Sequence, residues 1–228
     1  MYLASLIDNK YVAEAQSFQY TPGTARTALP ISLNEVLQHI RVDDPLEQTD
    51  YLNTLIKSAV DQFEYYTNIC LIQQTWTTYR DDFFMPAIEL RKGLFQSLTS
   101  FQYLVNGVLT TVDPTLYYIP PNNEYAQIIL KPDKQYPNDI DYLQAAVKIV
   151  FVSGFATSDA GIPSDIKTCL YNLVAFLYDN RGNNDVAAMS SKGVTDPMAG
   201  LNSLPNHVSD IIMKYRIQDI FGGFFIRY

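Results

Sequence analysis

The chain has 228 residues, of which 47% are hydrophobic, 13% aromatic and 18% charged, and its 17 Tyr outnumber its 12 Phe. That is enough apolar material for a real core, in one large domain or two small ones. Its 16 Lys and Arg against 24 Asp and Glu leave a net charge of −8. This is the wrong sign for gripping phosphate backbones, although a negative surface lets nucleic acid slide past without sticking.

Cys70 and Cys169 are the only cysteines. Both sit in apolar helix-like segments and are expected to be reduced core residues rather than disulfide or zinc partners. Residues 1 to 10 lack the basic start and apolar run of a signal peptide, and no stretch approaches the roughly 18 apolar residues of a membrane span. The chain is expected to be made in the cytoplasm and to stay there until it is assembled, with no membrane partner.

Residues 1–30 show no sustained period and end in Thr21, Pro22, Gly23, Thr24 and Pro30, which reads as an extended arm awaiting a partner, or else a frayed terminus. Ser32 and Glu35 form a capping box ahead of Leu33, Val36, Leu37 and Ile40, a short amphipathic helix. Asp44, Pro45 and Glu47 predict a second start, and Leu52, Leu55, Ile56, Ala59, Phe63 and Tyr66 give its apolar stripe, ending near Asn68. After Cys70 the period changes to two. Strands are predicted at Thr75 to Tyr79, Ala87 to Leu90, Ser100 to Val105, Val108 to Val112, Leu116 to Ile119, Tyr125 to Lys131 and Ala146 to Val152. Asn106-Gly107 marks a type I′ hairpin turn within them. Gly161, Ile162 and Pro163 open a third helix with Ile166, Cys169, Leu170, Leu173, Val174 and Leu177 on its buried face, stopped by Gly182. A long loop over residues 182–204 precedes a last helix from about Pro205 through Val208, Ile211, Ile212 and Tyr215.

The sequence carries no nucleophile elbow, phosphate-cradling glycine loop or paired metal-ligand histidines. His39 and His207 are isolated, Asp139 and Asp141 read as a solvated turn, and so does Asp179 to Asp185, whose spacing is not that of a calcium loop. The cluster Asp43, Asp44, Glu47 and Asp50 is explained by carboxylates favouring a helix N-terminus. No catalytic, metal or cofactor site is expected. Two rival readings are an aromatic glycan-binding or partner-binding module built on Trp76 and the Tyr-rich strands, and, more remotely, a hydrolase using Asp139 or Asp141.

The C-terminal segment after Asp219 carries Phe221, Phe224, Phe225, Ile226 and Tyr228 around Gly222-Gly223. Burying its four aromatics is worth about 6 to 12 kcal/mol, against about 9 to 18 kcal/mol to order some nine residues, so one such tail binds weakly. Several copies held together bind firmly, because each further docking is intramolecular. The alternative is that the tail completes its own chain's core.

The stretches Leu33-Asn-Glu-Val-Leu-Gln-His-Ile-Arg-Val-Asp43, Leu52 to Ile56 with Ala59 and Glu64, and Thr67 with Leu71 to Trp76 resemble the head-tail connector (adaptor) proteins of tailed bacteriophages. So do Leu94 to Ser100, Val150 to Phe155, Ile162-Pro163 with Ile166-Lys167, Leu177 to Arg181 and Ile212 to Arg216, in the same order along the chain. The resemblance spans about residues 31–216, and the leading arm, the loop 182–204 and the tail beyond Arg216 depart from the family. It implies a non-enzymatic virion protein, a ring of about twelve copies beneath the portal that passes DNA through its lumen and receives a tail or stopper protein.

The expected fold is α+β, a small α-helical bundle with an inserted antiparallel β region. Its parts are an arm at 1–30, a helical adaptor core at 31–70 with 162–217, the β region at 71–161 and the aromatic tail at 218–228. The candidate portal-binding residues are Phe221, Phe224, Phe225, Ile226 and Tyr228, with Tyr215 and Arg216 at their base.

Overall fold

A computed structural model of the chain describes residues 20–23, 26–40, 48–83, 87–121, 126–181 and 200–217. Among them are four α-helices and eight β-strands, divided between two compact units. One unit joins Arg26–Gln73 to Gly154–Tyr228, and the other joins Met1–Ala25 to Gln74–Ser153.

The first unit is helical. The Ser32 hydroxyl accepts from the Glu35 N–H, and the Glu35 carboxylate accepts from the Ser32 N–H at 2.7 Å, so the capping box closes reciprocally and starts α1, Leu33–His39. These bonds hold the Glu35 carboxyl below its ordinary range, the Ser32 N–H being the largest cause. The next helix, α2, spans Thr49–Thr67 and buries Leu52, Leu55, Ile56, Ala59, Val60, Phe63 and Tyr66 at helical spacing. It ends at Asn68, whose left-handed φ of 59° lets its N–H return to the Glu64 carbonyl. Gln48 stands at its N-cap without a side-chain bond. The start expected at Asp44, Pro45 and Glu47 lies in 41–47, outside the described residues.

A third helix, α3, runs Ser164–Asp179 and turns Ile166, Cys169, Leu170, Leu173, Val174 and Tyr178 inward. The last, α4, runs Asn206–Tyr215 and buries Val208 and Ile212, one turn apart. Phe63, Leu52, Ile56, Leu71 and Ile72 are among the largest fully buried side chains of this core. Each is worth about 1.5–3 kcal/mol against leaving it in water. Arg26 bridges Asp61 and Glu64 on the outer face of α2, the Glu64 contact at 3.2 Å.

The second unit is built of strands: β1 Tyr20–Pro22, β2 Gln74–Arg80, β3 Ala87–Leu90, β4 Phe95–Val105, β5 Val108–Thr111, β6 Tyr117–Tyr118, β7 Ala126–Leu130 and β8 Val147–Ser153. They make a five-stranded antiparallel sheet in the order β1-β2-β8-β4-β5 and a three-stranded antiparallel sheet in the order β3-β7-β6. Strand β8 alternates buried and half-buried residues along its whole length, so Val147, Ile149 and Phe151 line one face as the period of two requires. Aromatic rings fill the inside. Phe101 on β4 meets Tyr117 on β6 edge-on at 5.3 Å, linking the two sheets, and Phe83 stacks on Tyr136 at 4.6 Å. Burial pushes the Tyr136 hydroxyl pKa up to about 12.

This architecture corrects the expectation of a small helical bundle with an inserted β region. The chain is mixed α and β, with two antiparallel sheets carrying eight strands among the described residues, more sheet than a bundle's insertion. The physical reason lies partly in Tyr20–Pro22. This short run precedes every helix, yet it is recruited as an edge strand on β2, with Gly23 N–H continuing to the Thr75 carbonyl at 2.7 Å. Three residues have no readable period of their own, and pairing with β2 supplies the hydrogen-bond partners that make them a strand.

Candidate functional site

The described part of the candidate site is the root from which the C-terminal segment leaves. It is made where α4 ends, α2 ends and α3 begins. Helix α4 stops without a glycine. Arg216 leaves helical geometry at φ −65°, ψ 119°, and the next residue, Ile217, is buried with its N–H donating to the Thr67 carbonyl at 3.0 Å. Thr67 is itself held, its hydroxyl donating to the Phe63 carbonyl at 2.7 Å and accepting from the Ile69 N–H at 3.3 Å.

A second anchor lies one turn back. The Tyr215 hydroxyl donates to the Asp165 carboxylate, 3.0 Å from each oxygen, while Lys214 Nζ sits 2.7 Å from Oδ2 of the same group. Asp165 occupies the first turn of α3 and also accepts from the Ile166 N–H at 2.9 Å, a placement the helix dipole favours. The Lys214 contact, followed by the Tyr215 and Ile166 donors, holds the Asp165 carboxyl below its ordinary range. Burial, then the hydrogen bond to Asp165 and its charge, push the Tyr215 hydroxyl up. Phe155 packs edge-on against the Tyr215 ring at 6.3 Å.

Of the sequence-predicted site residues, the structure therefore brings Tyr215 and Arg216 to this root. Phe221, Phe224, Phe225, Ile226 and Tyr228 lie outside the described residues. Sequence reasoning missed Asp165, Thr67 and Phe155. Asp165 follows a predicted helix start, but nothing local tells that its partners lie 49 and 50 residues away.

The residues behind the rival readings are structurally engaged. The Asp141 carboxylate accepts from the Asn106 and Gly107 N–H groups at 3.0 and 2.8 Å and so caps the β4–β5 turn, where both residues have positive φ. His39 pairs with Asn172 at 3.0 Å, and His207 is exposed on the first turn of α4. Trp76 is 9% exposed with Lys92 Nζ 4.5 Å above its ring, which leaves no open indole face for a sugar to stack on. Cys70 and Cys169 are buried and not joined in a disulfide. Asp50 lies in the first turn of α2, whereas Asp43, Asp44 and Glu47 are outside the described residues. Among the described residues no group of three or more His, Cys, Asp or Glu is placed to hold a metal ion, and no helix is long and apolar enough to cross a membrane.

No family model matches the sequence, and no curated protein does. Solved structures do match. A chain from the neck of the empty gene transfer agent (GTA) particle, computed with C6 symmetry, aligns with a TM-score of 0.70 at 18% identity over 90% of this chain and 99% of that one. The fold is one found in the neck of a GTA particle. A chain of the native GTA virion gives a TM-score of 0.68 at 18% identity, again over 90% and 99% of the two chains. For a chain from the native GTA neck computed with C12 symmetry the values are 0.63 and 20%, with the same coverage. These neighbours are consistent with the head-tail connector resemblance of the sequence.

Proposed function

We propose that the chain is a structural subunit of a phage-like virion neck, a head-tail connector that assembles as a ring, docks on a portal and leaves a channel for DNA. The observation that carries this reading is a likeness in fold spanning 99% of chains described as parts of a GTA neck. A fold match this complete covers the β unit as well as the helices, so it is not the chance likeness of one common motif. Symmetries of C6 and C12 in those particles favour self-association in a ring, the closed form that head-to-tail contacts take. The net charge of −8 suits a lumen through which DNA passes without sticking. The role is non-enzymatic. The protein resides at the head-tail interface of the virion, after a period in the host cytoplasm.

In this reading the C-terminal segment is the portal-binding element, and the Tyr215–Asp165 and Ile217–Thr67 contacts fix the direction in which it leaves the helical unit. Phe221, Phe224, Phe225, Ile226 and Tyr228 make the contact, with Arg216 at its base. A tail or stopper protein takes the other end of the ring. Deleting residues 218–228 leaves the described core bonds intact and is expected to abolish co-purification with portal protein. Undiminished co-purification refutes the assignment of the tail. Discrete rings in negative-stain images support the ring, and a strictly monomeric protein in the presence of portal refutes it.

A further inference from the structure

The five-stranded sheet ends on one side in β5, and that edge is built to be paired. Val112 N–H donates to the Phe101 carbonyl at 2.9 Å, which makes Phe101 and Val112 a hydrogen-bonded pair. Alternation then makes Tyr103 with Thr110 and Val105 with Val108 hydrogen-bonded pairs, and turns the N–H and C=O groups of Leu109 and Thr111 away from β4. The Leu104 bonds agree: its N–H goes to the Ala146 carbonyl at 2.8 Å and its carbonyl accepts from Asp141 at 2.9 Å, both away from β5.

Edges of this kind are normally protected by charge, proline or a bulge. Strand β5 is Val-Leu-Thr-Thr, with none of the three, whereas the opposite edge strand β1 ends in Pro22. The surroundings are apolar as well. Val108, Leu109, Tyr142 and Leu143 are 65%, 43%, 88% and 58% exposed. Asp141 holds Tyr142 and Leu143 beside the hairpin by capping its turn and bonding Leu104.

The chain supplies a matching segment. Residues 2–7 read Tyr-Leu-Ala-Ser-Leu-Ile, uncharged, free of proline and followed by Asp8. The segment leads into β1, the far edge of the same sheet. Residues 8–19 reach up to about 40 Å when extended, while five strands are about 19 Å across, so the arm has length to clear its own sheet. We propose that residues 2–7 of one copy add as a strand to the β5 edge of a second copy. Each copy then offers one arm and one edge, a head-to-tail contact of the kind that closes into a ring. Which copy stands alongside rests on the ring reading above. Running back to its own β5 would require the arm to cross a face of its own sheet.

Crosslinking and one edge variant test this in the full chain. Single cysteines placed in turn at residues 2–7 are mixed with a chain carrying Leu109→Cys, since Cys70 and Cys169 are buried. The expected result under mild oxidation is a disulfide joining two chains. No joined product overturns the proposal, as does a link formed only within one chain when both cysteines are on it. Leu109→Pro removes an outward N–H and spares the β4–β5 bonds, so circular dichroism should be unchanged while self-association weakens by about tenfold. Unchanged self-association overturns the proposal. Rings that persist in images of Leu109→Pro sink the arm exchange and leave the ring reading standing, whereas crosslinked chains without rings do the reverse.

Discussion

Gly154 is where a backbone argument makes its sharpest demand on stability. It follows β8, has φ +145°, and a Cβ there would lie 2.5 Å from Gln73 Cα, 2.7 Å from Gln73 N and 2.9 Å from the Ile72 carbonyl carbon. All three are main-chain atoms, so no rotamer change relieves the clash. The two strands of chain are tied together by Gln73 N–H to the Ala156 carbonyl at 2.9 Å, Phe155 N–H to the Cys70 carbonyl at 2.9 Å and Ala156 N–H to the Leu71 carbonyl at 3.2 Å. Admitting a methyl group means separating them. Three such bonds are worth about 0.5–1.5 kcal/mol each. Holding a non-glycine residue at this φ adds about 1–3 kcal/mol. Gly154→Ala is therefore expected to lower stability by about 3–7 kcal/mol, a large share of the total for an ordinary domain. Gly107→Ala is the matched control, because Gly107 also has positive φ, +76°, but a methyl group added there would meet nothing within 4 Å. It should lose only about 1–2 kcal/mol. Urea unfolding followed by circular dichroism measures both. If the two variants lie within about 1 kcal/mol of each other, the crowding at Gln73 is not what requires glycine.

Two further outcomes follow from ionisation at the helical core. Asp165 is held below its ordinary range in the folded chain, so its contribution is present above the unfolded value of about 3.9 and is lost as pH falls through the folded value. The difference in melting temperature between wild type and Asp165→Asn should therefore shrink as pH drops from 7 to 3, and a constant difference contradicts the Tyr215–Asp165 anchor. Burial pushes the Cys169 thiol up to about 12, so its stabilising effect is full below the unfolded value of about 8.5 and fades as pH rises towards 12. A thiol reagent at pH 8 should label neither Cys169 nor Cys70 until the chain unfolds, and rapid labelling of the native protein refutes their burial.

Much of the local structure was legible in the sequence because its causes are local. Ser32 and Glu35 are three residues apart and close their box within one turn. Asn106-Gly107 supplies the positive φ angles of its own hairpin, and Leu52 through Phe63 carry the period of the face they bury. Pro163 and Pro205 stand at the starts of α3 and α4 for the same reason, a fixed φ suited to helix entry. What the residues did not reveal was the amount of sheet and its order. Tyr20–Pro22 becomes a strand only because β2 accepts it, and the split into sheets of five and three strands depends on pairings such as β2 with β8, whose partners are 67 to 79 residues apart.

The candidate site divides in the same way. The sequence by itself placed aromatic residues after Asp219, with Tyr215 and Arg216 at the base of that segment. Only the tertiary structure decided that Asp165 and Thr67 hold that base, and that Leu109 and Thr111 turn their backbone groups outward from β5. The physical reason is range. Caps, turns and helical periodicity are settled within a few residues by backbone sterics and burial, whereas anchors and sheet edges are properties of distant segments brought together, and no single segment encodes its partner.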